Sequence, residues 1–223
     1  MSDITTTAGG GLPALRQRAG YPSLLLGAFT LLAATLLVFA DRFTREPIAE
    51  RGAEDLKASL AQVIPLALQD NDPVADALSI PSATGVPIRV YRAMRQGRVT
   101  AVAFQVTGLG YAGPIELILG LDPQGRILGA RVLSHRETPG LGDRIEATKD
   151  DWILGFEGLS LGDPPESRWA VKKDGGDFDQ FSGATITPRA VVGAFKKGLQ
   201  LFTTHQAVLL APAPGDPGPD ANP

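Results

Sequence analysis

From Ala19 to Ala40 the chain carries no charged residue for 22 positions, and Leu24 to Phe39 is dense in Leu, Ala, Phe and Val. As a helix this stretch spans about 33 Å, enough to cross a hydrocarbon core of about 30 Å. A core helix of a soluble domain would show a polar face, and this one shows none. A cleaved signal peptide would end in a small-x-small site, and Phe39-Ala40-Asp41 followed by Arg42 is a poor one. The reading is an uncleaved transmembrane helix over residues 21–41, preceded by a flexible arm over residues 1–20 that holds Thr5-Thr6-Thr7 and Gly9-Gly10-Gly11. Arg16 and Arg18 lie upstream of the helix, and Arg42, Arg45, Arg51 and Lys57 downstream. Counted literally, these charges favour a cytoplasmic C-terminal part, but the rule is weak when the flank is a whole domain.

Beyond the anchor the pattern turns globular. Residues 42–87 read as a helical and irregular linker region. Its helix, over 44–65, carries Leu56, Leu60, Val63 and Ile64 and stops at Pro65. The period then changes to two. Ile88 to Arg92, Val99 to Val106, Ile115 to Leu121 and Ile127 to Ser134 read as four strands. Gln96-Gly97, Gly108-Leu109-Gly110 and Asp122-Pro123-Gln124-Gly125 punctuate them as turns. Connections this short predict an antiparallel meander. A last helix from Pro188 to about Thr203 puts Val191, Ala194, Phe195, Leu199 and Phe202 on one side. The class is α+β: one domain over 88–205, then a disordered tail over 206–223, its end rich in Pro, Gly, Ala and Asp.

Composition narrows the chemistry. There is no cysteine, which excludes disulfides, iron–sulfur clusters, thiolate zinc sites and cysteine nucleophiles. Two histidines, His135 and His205, are too few for a multi-histidine metal site. A net charge of −3 without a basic stripe gives nucleic acid nothing to bind.

Two segments remain. In Asp179-Gln180-Phe181-Ser182-Gly183-Ala184-Thr185-Ile186-Thr187-Pro188, Thr187 reads as an N-cap and Pro188 as the first helical residue. The hydroxyls of Ser182, Thr185 and Thr187 then gather before a helix N-terminus, a natural place for a phosphate. The same residues read equally well as an ordinary capped helix start. The second segment, His135-Arg136-Glu137-Thr138-Pro139-Gly140-Leu141-Gly142, is a tight loop after the last strand, with N–H groups expected to face a ligand. A lone histidine there is more often a structural hydrogen-bonder than a catalyst. A hydrolase built from Ser182, His135 and Asp179 lacks the G-x-S-x-G pattern. Asp174 to Asp179 looks like a calcium loop but has no glutamate at the spacing one needs, and reads as a solvated turn.

Taken together, Asp179-x-x-Ser182-Gly183-Ala184-Thr185 resembles the flavinylation motif of the FMN-binding proteins of bacterial respiratory ion pumps. His135-x-Glu137-Thr138-Pro139-Gly140-Leu141-Gly142 resembles the second signature of that group. With the anchor, the meander and Gly110-Tyr111-x-Gly113, the chain over roughly residues 20–205 resembles the G subunit of the Rnf ion-translocating electron transport complex. The related family of the C subunit of the Na+-translocating NADH:quinone reductase is the alternative, and a membrane-anchored flavin sensor a further one. The resemblance implies FMN joined by a phosphoester to Thr185 through a separate flavin transferase. Asp179 and Ser182 would then be recognition and positioning residues, with Gly183 and Ala184 completing the motif. Glu137, Thr138, Gly140, Leu141 and Gly142 would line the flavin ring, with the amides of Gly140 and Gly142 and the Thr138 hydroxyl as donors. Tyr111, Trp152 and Lys173 are secondary candidates for contacts. The resemblance further implies no catalytic residue of the chain's own, together with membrane-embedded and cluster-carrying partners. It implies electron relay between NADH and ferredoxin coupled to ion movement, which in some bacteria supports nitrogen fixation. It places the chain in the bacterial inner membrane with the flavin domain on the periplasmic side, against the literal charge count.

Overall fold

The computed structural model describes residues 20–81 and 85–212, except the side chains of 44–50 and 53. Apart from Gly20, the expected N-terminal arm lies outside the described residues, as does the end of the expected tail from 213 on. The chain divides into two compact units between Glu54 and Asp55.

The first unit holds most of helix α1 (Gly20–Val63). Among the described residues, Gly20–Phe43 is the one stretch of helix long and apolar enough to cross a membrane, and none of its most apolar window is buried by protein. The sequence predicts two separate helices here, and one continuous helix is found. Asp41 and Arg42 end the apolar stretch, but charged residues are compatible with a helix and do not stop it.

The second unit is built on a five-stranded antiparallel sheet in the order β1 (Leu78–Ile80), β2 (Ile88–Arg95), β3 (Arg98–Leu109), β4 (Pro114–Leu121) and β5 (Ile127–Ser134). The meander is as expected, with one more strand. β1 lies inside the stretch read as linker and pairs Leu78 with Val90 and Ile80 with Ile88. Gln96 and Gly97 both take positive φ, at 52° and 74°, as a tight hairpin requires. β3 runs through Gly108 and Leu109, read above as a turn, and the chain reverses instead over Gly110–Gly113, where the Gly110 N–H donates to the Gly113 carbonyl.

Both sheet faces are covered, and the two-residue period divides them. Val90, Val102, Phe104, Leu117 and Leu119 share a core with Val191, Phe195, Leu199 and Phe202 of helix α2 (Ile186–Leu209). Each such fully buried side chain is worth about 1.5–3 kcal/mol over leaving it in water. On the opposite face Tyr91, Ala93, Ala101, Ala103 and Ile118 meet Leu60, Val63 and Ile64. That face is made shallow by small residues: a Cβ on Gly129 would sit 2.9 Å from the Val63 Cα, and one on Gly120 would meet the Val63 carbonyl.

α2 also outruns its expected end. Leu209 is buried and the Arg92 guanidinium donates to the Ala211 carbonyl at 3.0 Å, so residues 206–212 belong to the folded unit and not to a tail. The apolar face of the helix continues past Thr203 through Leu209, which explains the extension.

Candidate functional site

The loop after β5, the β3–β4 turn and the start of α2 converge on one buried carboxylate. Glu137 is only 5% exposed. Its Oε1 accepts from the Ala112 N–H at 2.9 Å, and its Oε2 from the Tyr111 N–H at 3.3 Å and from the Thr187 hydroxyl. Three segments far apart in the chain are therefore tied by one side chain. Glycines let them close in. A Cβ on Gly110 would lie 2.5 Å from Glu137 Oε1, and one on Gly142 would lie 2.8 Å from the Glu137 Cβ and 2.9 Å from the Thr187 Oγ1.

Beside this junction is a cavity of about 350 Å³, walled by Tyr111, Glu137, Thr138, Leu141 and Gly142 on one side and by Gly183 through Thr187 on the other. The structure thus brings together both segments singled out in the sequence. Ser182 and Gly140 are not part of the wall, nor are Asp179, Trp152 and Lys173. Asp179 is exposed and held by Lys172 at 2.6 Å. The Trp152 indole donates to the Asp179 carbonyl at 3.0 Å and packs edge-on against Phe181. Lys173 is exposed, its backbone N–H donating to Gln180.

Two details depart from expectation. The Gly140 and Gly142 amides do not face a ligand. Gly140 N–H donates to Asp143 Oδ1 at 2.7 Å, and the Leu141 and Gly142 amides donate to the Thr138 carbonyl at 3.1 and 3.0 Å. A loop this tight satisfies its own donors. Thr187 does not cap α2 either. The helix already begins at Ile186, and the Thr187 side chain is buried against Glu137. Pro188 fits inside the first turn, where its missing N–H would have had no partner. Thr185 occupies the cap position in a helical conformation (φ −65°, ψ −28°), and its hydroxyl makes no capping hydrogen bond. Thr185 lines the cavity, half-buried, next to a helix start.

Several of the surrounding charges are paired. Asp143, beneath the loop, meets Lys149 at 3.1 Å, and this ammonium together with the Gly140 amide holds its carboxyl below the usual value. His135 accepts from the Glu137 N–H at Nδ1 (3.0 Å), so Nε2 carries the hydrogen and faces Glu146 at 2.9 Å. With both ring nitrogens engaged and Asp179 on Lys172, the supports that a serine nucleophile needs are spent elsewhere. The carboxylates of the calcium-like turn likewise meet cations, Asp174 on Arg189 and Asp177 on Arg168. Sequence reasoning missed Ile186 in the wall and the Glu137–Thr187 contact, 50 residues apart, for which no local pattern exists.

The residues present suit FMN. The volume lies in the range of small-molecule pockets, and exposed Tyr111, Leu141 and Ile186 offer an apolar border for a planar ring. The first turn of α2 presents amides without intrahelical partners to a phosphate.

Comparison with known proteins agrees with this geometry. Residues 110–200 match the family model described as FMN-binding domain. The chain is 60% identical, over 86% of its length and 87% of the relative's, to the G subunit of the ion-translocating oxidoreductase complex of Cereibacter sphaeroides. It is 50% identical to the protein of the same name from Stutzerimonas stutzeri, over 86% and 84% of the two chains. Among solved structures, Shewanella oneidensis NqrC is similar at 26% identity and a TM-score of 0.45, covering 63% of this chain and 74% of that one.

Proposed function

Because the chain belongs to the family of the G subunit of ion-translocating oxidoreductase complexes, we propose that it relays electrons within such a complex through an FMN bound covalently to Thr185. FMN is the cofactor, as the FMN-binding domain over residues 110–200 indicates, and it supplies the one- and two-electron chemistry. The chain's own residues bind it, orient it and shape its surroundings.

The observation that carries the Thr185 assignment is a threonine in the cavity wall, at a helix start, whose hydroxyl is not consumed in capping. Attachment is a phosphoryl transfer performed by a separate flavin transferase on FAD. The Thr185 oxygen forms a bond to the phosphorus of the FMN half, the bond between that phosphorus and the bridging oxygen breaks, AMP departs, and the hydroxyl proton leaves with it or to water. Asp179 and Ser182, exposed beside the cavity, serve recognition by the transferase. Thr138 and Leu141 face the ring, while Gly140 acts at one remove by closing its loop through Asp143. The electrons pass between NADH and ferredoxin through partner proteins of the complex that carry other cofactors. Gly20–Phe43 anchors the chain in the cell membrane with the FMN domain on the periplasmic side; a domain of this length translocates largely regardless of flanking charge.

The test is intact mass and a UV–visible spectrum of the full chain purified from a host co-expressing the transferase. A mass increase of one FMN unit, lost in Thr185→Ala, with yellow colour that survives denaturation, is expected. An unmodified mass, with the transferase shown to be active on another target, would overturn the assignment.

A further inference from the structure

Glu137 is buried, and among the described residues no cation pairs with it. It accepts from two backbone amides and one hydroxyl. Two backbone N–H donors and a hydroxyl at its oxygens suit the acceptor-only oxygens of a carboxylate. A buried charge without a counter-ion is costly, and hydrogen bonds to its oxygens offset part of that cost. An amide side chain would set an NH2 group against one of these donors, so the junction calls for the two acceptor oxygens of a carboxylate, and with them comes a charge in the cavity wall. Glu137 lines the cavity, and its carboxylate is held by Tyr111 and Thr187, which also line it.

We propose that Glu137 is a positioning residue with an electrostatic role: it fixes the β3–β4 turn and the first turn of α2 around the cavity, and its negative charge lowers the reduction potential of the flavin held there. The inference rests on the reading of the cavity as the FMN site. Reduction adds electrons to the ring, and a fixed negative charge in a poorly solvated wall opposes that addition. The neighbouring charges leave the effect in place. Lys149 is engaged by Asp143, Arg189 by Asp174, His135 faces Glu146, and Arg136, next in the chain, is exposed to solvent.

The experiment is a spectroelectrochemical titration of the flavin in the full chain at fixed pH, for the parent, Glu137→Gln, Glu137→Asp and Thr187→Val. Glu137→Gln keeps the size of the side chain and removes the charge together with one acceptor oxygen, a loss that Thr187→Val reproduces in part by removing a donor. The flavin of Glu137→Gln should bind electrons about tenfold more favourably, an upward shift of about 30 mV for a two-electron couple. Glu137→Asp keeps the charge and shortens the reach. It should lower the fraction of chains that carry flavin and leave the potential near the parent's. Thr187→Val removes a donor and keeps the charge, and should produce no upward shift. A folded Glu137→Gln protein with flavin and an unchanged potential overturns the proposal, as does an equal upward shift in Thr187→Val. If Glu137→Gln folds but takes up no flavin, Glu137→Asp decides: uptake at the parent potential supports the proposal, and no uptake overturns it. A parent without flavin would instead fail the Thr185 reading, so the two failures are distinct.

Discussion

The two walls of the cavity are built in opposite ways. The wall after β5 is closed on itself: its amides at Gly140, Leu141 and Gly142 are spent on Asp143 and Thr138, and Asp143 is braced by Lys149. The wall before α2 is left open at the point that matters, with the Thr185 hydroxyl free of capping and the helix start turned to the cavity. A closed loop holds a shape and has no valence left over. An open helix start keeps an uncapped hydroxyl and amides without intrahelical partners at some cost in local stability. One wall is fixed by its own hydrogen bonds and the other keeps a free hydroxyl, and Glu137 and Thr187 join them.

The largest expected break in this asymmetry is between two threonines. Thr185→Ala removes all covalent flavin while Thr138→Ala, on the closed wall, retains it; intact mass reads the difference, and equal loss in both would erase the distinction. Next is backbone fit. Gly142→Ala forces a methyl against Glu137 and Thr187 and should cost about 1–3 kcal/mol in denaturant unfolding. On the open wall Gly183 sits at φ +80° with only Leu141 near its missing Cβ, so Gly183→Ala should cost about 1–2 kcal/mol from conformation alone. A smaller effect lies in acid. The Asp143 carboxyl is held below its ordinary value chiefly by its hydrogen bond to Lys149. The stability it contributes is therefore present above the unfolded pKa of about 3.9 and lost as pH falls through the lower folded value. Asp143→Asn should be less stable than the parent at pH 7, and the gap should narrow below about pH 4, as followed by thermal melts across pH. Least affected is Ser182→Ala, at an exposed position outside the cavity wall, with a stability change within about 0.5 kcal/mol. Its flavin content would report on the transferase and not on the fold.

Much of this architecture is legible because it repeats locally. Alternation marks the four long strands, Gln96-Gly97 marks the hairpin, and an uncharged run marks the anchor helix. β1 is not legible because three residues, Leu78–Ile80, hold too few repeats to show a period, and pairing with β2 alone makes them a strand. The continuity of α1 is hidden because the charges at Asp41 and Arg42 look like a boundary, although they change only the helix's solvent. The cavity is half legible. Thr138, Leu141, Gly142, Gly183, Ala184 and Thr185 do line it, whereas the Gly140 amide is turned inward by a side chain three residues on.

By itself, then, the sequence determined what periodicity and composition can encode: a helix suited to lipid, a meander, and two short motifs without cysteine or metal chemistry. Only tertiary structure decided that Thr187 is a buried partner of Glu137 and not a cap, and that Thr185 keeps its hydroxyl free. The reason is range. Side-chain period and turn chemistry act within a few residues, but the fate of a polar group depends on which donor or acceptor folding brings beside it, here from 50 residues away.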